Sequence, residues 1–198
     1  MGPAIRTHLT QLTVRLATNM RVCRTTAGVE VQTPAKLNLF LEILAKRRDG
    51  YHEIESLLAP FAIYDTLLLT DEPGGEVTAD CRWATGLGAT AGPMLGELPD
   101  PRHNLAVRAV ELVRLRTGVT RGAKLRLVKR IPAAAGLGGA SSDAAAALVA
   151  ANLAWGLGLS HAELSALAGE LGSDIPFFLG RGSAVCRGRG EKVEAIGP

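Results

Sequence analysis

Apolar positions along the chain recur with a period of two in some stretches and near 3.6 in others, and this divides it into strands and helices. Val29-Glu-Val-Gln-Thr33 alternates and predicts a strand. Residues 35–46 (AKLNLFLEILAK) set Lys36, Asn38 and Glu42 against Leu37, Leu39, Leu41 and Ile43, the pattern of a strand with one face in the core. Arg47-Arg-Asp-Gly50 carries the Asp-Gly hairpin signal, and residues 52–62 and 66–70 read as the next strands. Residues 71–101 hold six glycines and four prolines and predict loop, with room for one short strand. Residues 104–117 place Leu105, Val107, Val110, Leu112, Val113 and Leu115 at helical spacing, and Gly118 follows as a C-cap. Residues 123–131 alternate strictly as a strand, 132–142 form a glycine- and alanine-rich loop, and 142–157 form an Ala-rich helix. A further helix starts after Ser160, whose spacing to Glu163 is that of a capping box, and ends near Gly172. Strands at 182–187 and 191–195 follow. This order predicts an α+β fold, a mixed sheet with helices on one face.

Composition narrows the class. With 198 residues, 47% hydrophobic and 21% charged, the chain can bury a core without staples. Cys23, Cys81 and Cys186 are scattered, which argues against a disulfide framework or a zinc site and fits a reducing compartment. No apolar run approaches the roughly 18 residues of a membrane span. A pI near 9.0 points toward nucleic acid until the charge is located. Residues 1–28 hold Arg6, Arg15, Arg21 and Arg24 and no acid, while the other 170 residues hold 18 basic and 19 acidic groups. The basicity therefore belongs to a basic N-terminal extension over 1–28, and a nearly neutral domain over 29–198 predicts no nucleic-acid partner. The extension lacks the apolar segment of a secretory signal. It reads as a poorly ordered tail, a translated leader ahead of a start at Met20, an organelle transit peptide, or a nucleic-acid arm. The last is disfavoured because no aromatic residue interleaves its arginines.

The strongest chemical signal is Pro132-Ala133-Ala134-Ala135-Gly136-Leu137-Gly138-Gly139-Ala140-Ser141-Ser142, between a strand and a helix. Glycines let the backbone approach a ligand closely. The helix start that follows offers free N–H groups and the positive end of its dipole to an anion. Ser141 and Ser142 add hydroxyls, as donors or as a metal-ligand oxygen. The loop is a phosphate cradle by mechanism, without the Gly-Lys-Ser/Thr of a Walker A loop and without G-x-G-x-x-G.

This loop resembles the nucleotide-phosphate motif of the galactokinase, homoserine, mevalonate and phosphomevalonate (GHMP) kinase superfamily. Pro34-Ala-Lys-Leu-Asn-Leu-Phe-Leu41, Arg48-Asp-Gly-Tyr-His-Glu-Ile-Glu-Ser-Leu58 and Leu171-Gly-Ser-Asp-Ile-Pro-Phe-Phe178 narrow the resemblance to the 4-diphosphocytidyl-2-C-methyl-D-erythritol kinases. Ala140 departs from the glycine more usual there; its methyl is tolerable if φ is negative. The resemblance implies a GHMP-kinase N-terminal domain, a ribosomal-protein-like βαβ fold, that binds ATP with Mg²⁺. It implies phosphorylation of the 2-hydroxyl of the cytidylated substrate in the non-mevalonate isoprenoid pathway, in a bacterial cytoplasm or a plastid. The alternatives are another small-molecule kinase of the superfamily and a weakly active nucleotide-binding fragment. The family's second domain is not found after this segment, so exposed apolar surface and a homodimer are expected.

The same resemblance distributes roles. Asp174 would take the proton of the acceptor hydroxyl, and Lys36 would balance the charge of the transferring phosphate. Asn38, on the strand face of Lys36, would line the same cleft. Tyr51 would stack on the pyrimidine and His52 would hydrogen-bond its edge. Asn104 has the spacing of a helix N-cap and by weaker analogy faces the adenine. Asp143 reads as structural, at a helix start that suits its charge. No residue stands out as a dedicated metal ligand.

Overall fold

The structure, a computed structural model, describes residues 12–14, 18–87, 91, 94–98, 100 and 103–197, the first three by backbone alone. Its elements run β1 (Leu12–Val14), β2 (Arg21–Thr25), β3 (Gly28–Lys46), β4 (His52–Glu72), β5 (Val77–Trp83), α1 (Leu105–Thr117), β6 (Gly122–Lys129), α2 (Gly139–Trp155), α3 (His161–Leu171), α4 (Ile175–Leu179), β7 (Ser183–Gly188) and β8 (Lys192–Ile196). The strands form one sheet in the order β1-β2-β3-β4-β6-β5, with β7 on β4 and β8 on β7. β5 and β6 are parallel, joined by a crossover through α1, and the other pairs are antiparallel. This is the expected α+β arrangement with a mixed sheet.

The core lies between the sheet and the helices. Val29 and Val31 of β3, Leu67 and Leu69 of β4, and Leu125 and Leu127 of β6 are buried. Against them packs α2, whose residues 142–151 are all buried. A helix apolar on every side suits a position enclosed by other elements, and its run of alanines lets it sit close to the sheet. Asn104 caps α1 by accepting from the Ala106 N–H at 2.9 Å, and Gly118 ends it at φ 74°. The Ser160–Glu163 capping box opens α3 as expected. The short helix α4, with Pro176 in its first turn, lies where no helix was expected.

Two expectations need correction. The first is the boundary at residue 28, which falls inside the β2–β3 hairpin. β2 pairs with β3 from Arg21↔Gln32 to Thr25↔Gly28, and Met20 and Val22 are in the core. Arg24 donates to the Leu153 carbonyl at 2.7 Å, and Arg21 lies 4.8 Å over the Tyr64 ring. These two arginines therefore belong to the fold; Arg6 and Arg15 lie outside the described residues.

The second concerns residues 35–46. β3 and β4 pair from Val29↔Leu69 to Lys46↔His52, with three register shifts along the way, and project as a long arm. On it Leu39 (61%), Leu41 (53%) and Ile43 (62%) are exposed, while Lys36 is only 5% exposed. The parity is reversed by a register shift between Pro34 and Ala35. Such a bulge turns the following side chains to the other face. Lys36 thereby points to the helical side, with Thr33. The short strand for which residues 71–101 had room is β5, an edge strand parallel to β6 whose side chains are half-buried or exposed. Among the described residues no helix is long and apolar enough to cross a membrane.

Because β2 is part of the sheet, Val22→Ala should lower unfolding stability by about 2 kcal/mol, two buried methyls plus a small cavity. Chemical denaturation measures this; a change under about 0.5 kcal/mol, the scale of a surface site, contradicts it.

Candidate functional site

The loop from Pro132 to Ser141 lines a cavity of about 300 Å³, together with Leu98, Asn104, Leu105, Lys129, Ile131 and Asp143. Its backbone turns through positive φ at Ala134 (57°), Gly136 (74°) and Gly138 (73°). Ala134 is the one described non-glycine residue in that region, a strained conformation of the kind found at binding sites. Gly138 caps α2 without a side-chain hydrogen bond, which leaves the first-turn N–H groups at the cavity without a side-chain acceptor. Ala140 lies in that first turn with negative φ, so its methyl is accommodated.

Glycine at 138 has a reason that the sequence did not reveal. A Cβ there would lie 2.9 Å from both Lys36 Cγ and Phe178 Cζ. The missing side chain makes room for Lys36, so the loop packs directly on the Lys36 strand. The Lys36 N–H also donates to the Leu137 carbonyl at 2.9 Å. Lys36 Nζ donates to Asn38 Oδ1 at 2.9 Å and lies 3.3 Å from Asp174 Oδ2. Asp174 holds the N-cap position of α4 but makes no capping bond, so its carboxylate is left to Lys36. Lys36, Asn38, Asp174 and the loop are thus brought together by β3, α4 and the α2 N-terminus.

Beneath the loop lies a buried charge cluster that sequence reasoning missed. Lys129 Nζ bonds to Asp65 Oδ2 and to Asp143 Oδ2, and all three residues are buried. Asp65 Oδ1 also accepts the N–H groups of Arg130 and of Ile131, the latter at 2.9 Å. One carboxylate therefore fixes the chain where β6 becomes the loop, and the other sits where the loop becomes α2. Burial pushes the Asp143 carboxyl up to about 7, opposed by Lys129 and assisted by Asp65. Burial pulls Lys129 down, but Asp143 and Asp65 outweigh it and leave the ammonium above its ordinary value. Asp143 Oδ1 has no hydrogen-bond partner among the described residues. The available signal was Lys129 on the buried parity of β6, with Leu125 and Leu127.

Two assignments change. Ser142 is not at the cavity: its hydroxyl is buried, 2.6 Å from Thr33 Oγ1, and donates to the Pro34 carbonyl at 2.6 Å. It fastens α2 to the β3 bulge and is spent before a ligand arrives, whereas Ser141 lines the cavity. Asn104 lines the cavity too, but its side-chain oxygen is committed to the α1 cap. Tyr51 and His52 lie at the far end of the β3–β4 arm, both exposed, with His52 paired to Lys46. Among the described residues there is no group of three or more His, Cys, Asp or Glu able to cage a metal.

Residues 104–182 match the family model for the GHMP kinases N terminal domain. The chain carries that domain. A curated relative from Pelotomaculum thermopropionicum, named 4-diphosphocytidyl-2-C-methyl-D-erythritol kinase, is 46% identical over 164 residues, 83% of this chain and 53% of that protein. One of the same name from a Synechococcus strain is 43% identical over 172 residues, 86% of this chain and 52% of that one. A crystal structure of 4-(cytidine 5'-diphospho)-2C-methyl-D-erythritol kinase superposes with a TM-score of 0.66 at 38% identity, covering 84% of this chain and 55% of that one. Methanococcus jannaschii mevalonate kinase shares the fold at 14% identity, with a TM-score of 0.63 over 87% of this chain and 57% of that one. The chain spans about half the length of the curated relatives it matches.

Removing the bridging ammonium with Lys129→Met leaves two buried carboxylates unpaired and should destabilise the fold by about 3–5 kcal/mol in denaturant titrations. An acid whose native pKa is raised holds its proton longer when folded. Asp143 therefore lowers stability as pH rises from about 4 to about 7, and the loss is recovered on acidification. Asp143→Asn should flatten that slope between pH 4 and 8; an unchanged slope contradicts it. Ser142→Ala should lower stability by about 1–3 kcal/mol, whereas Ser141→Ala should leave stability unchanged and weaken nucleotide binding.

Proposed function

We propose that the protein binds ATP at the 132–141 loop and transfers its γ-phosphoryl group to the 2-hydroxyl of 4-diphosphocytidyl-2-C-methyl-D-erythritol, within non-mevalonate isoprenoid synthesis. The observation that carries this reading is the Lys36–Asp174 pair, 3.3 Å apart and packed against Gly138 of the loop. The names of relatives 40–46% identical support the substrate.

Phosphoryl transfer asks a protein mainly for positioning and charge stabilisation. The first-turn N–H groups of α2 and the Ser141 hydroxyl hold the phosphates, and apolar Leu98, Leu105 and Ile131 flank the rest of the nucleotide. Asp174 accepts the proton of the attacking hydroxyl. Lys36, held by Asn38, pairs with that carboxylate and faces the charge developing on the transferred group. Mg²⁺ arriving with ATP would neutralise phosphate charge, and the Ser141 hydroxyl and the free Asp143 oxygen are the protein oxygens that fit it. Tyr51 and His52 receive the cytosine. The self-association expected from exposed apolar surface would use the arm, through Leu39, Phe40, Leu41 and Ile43.

Transfer from γ-labelled ATP should be seen with the cytidylated substrate and not with homoserine or mevalonate. Asp174→Asn should reduce it about 10²- to 10⁴-fold while leaving ATP affinity within about twofold. Transfer to mevalonate or homoserine alone, or an Asp174→Asn variant as active as the parent, contradicts the reading.

A further inference from the structure

The turn joining β7 to β8, residues 188–191, touches both ends of the proposed acceptor site. β7 ends beside the arm, with Gly188 paired to Ile54. The turn is built from within. Gly188 has φ 77°, and a Cβ there would lie 2.7 Å from Glu191 Oε1, so only glycine lets the Glu191 carboxylate fold back. Glu191 Oε2 then accepts the Arg189 N–H at 2.7 Å and lies 3.8 Å from Arg189 Nε. So held, Arg189 places its guanidinium carbon 4.8 Å from the centroid of the Tyr51 ring. The next residue, Gly190 (φ 120°), lies against the acceptor carboxylate: a Cβ there would be 3.5 Å from Asp174 Oδ1.

A four-residue turn thus lies beside Asp174 at Gly190 and contacts Tyr51 through Arg189. A tyrosine ring has two faces. One is covered by the guanidinium, and Tyr51 remains 52% exposed. An exposed ring on a hairpin end has free rotation about its side-chain bonds, and holding it in one orientation before binding removes that entropy from the cost of binding. A cation over the ring supplies the hold.

We infer that Arg189 is a positioning residue for substrate recognition: it fixes the Tyr51 ring so that the open face receives a pyrimidine base at a set distance from Asp174. This rests on the proposed function, which places the base at Tyr51. Arg189 acts through the ring and does not itself contact the ligand.

The test is a double-mutant cycle on the full chain, using calorimetric binding of cytidine 5′-diphosphate, with a non-hydrolysable ATP analogue as control. Arg189→Ala should weaken cytidine diphosphate binding about tenfold and leave the ATP analogue within twofold. In a Tyr51→Ala background, Arg189→Ala should have no further effect. Additive losses would mean that Arg189 touches the ligand directly, and either that result or an unaffected Arg189→Ala variant overturns the inference. A parent chain that binds the ATP analogue but not cytidine diphosphate overturns the substrate reading instead, and the inference with it.

Discussion

The Lys129 ammonium, buried between the Asp65 and Asp143 carboxylates, is the contact on which the rest of the site depends. Buried charge is expensive unless it is paired and hydrogen-bonded. Here the pairing joins three elements: β4, the end of β6 and α2 just past its first turn. Asp65 also takes the N–H groups of Arg130 and Ile131, so the place where strand becomes loop is fixed from the same point. A loop of alanine and glycine has little side-chain packing of its own. Its shape is set at its two ends, and both ends rest on this cluster. The strained φ of Ala134 lies between them.

The second constraint is the bulge at Pro34. Proline cannot donate to the sheet ladder, and a register shift follows it. That shift brings Lys36 to the helical side, where it meets the loop at Gly138 and the carboxylate of Asp174. Ser142 locks the arrangement by bonding the Pro34 carbonyl. The loop and the Asp174 carboxylate are therefore not independent features: one strand, turned by the bulge at Pro34, carries the Lys36 ammonium between them.

Much of this was legible in the chain. Alternation located β3, β4 and β6, and helical spacing with glycine ends located α1, α2 and α3. The capping box at Ser160 and the cap at Asn104 were readable because they depend only on local spacing. The loop and the roles of Lys36 and Asp174 came from motif resemblance, and the structure brings those residues to one place. What was not legible depended on distant contacts. β2 has only five residues, Arg21–Thr25, and two of its arginines read as solvated charge. They bond to a helix end and a ring that sequence spacing does not reveal. Lys36 was assigned the face opposite the core because period two ignores a bulge. Ser142 resembled a phosphate contact because composition does not distinguish a hydroxyl turned inward from one turned outward. Leu39, Leu41 and Ile43 read as core because alternation reports amphipathicity and not whether anything packs against the strand.

Hydrogen exchange with and without a non-hydrolysable ATP analogue tests the central claim, that the nucleotide phosphates sit on the loop anchored by Lys129. The account predicts slowed exchange at the amides of residues 133–143, which span the loop and the first turn of α2, and no change at residues 39–46 of the arm. Unchanged exchange over 133–143 with the nucleotide bound, or protection confined to other elements, would contradict it.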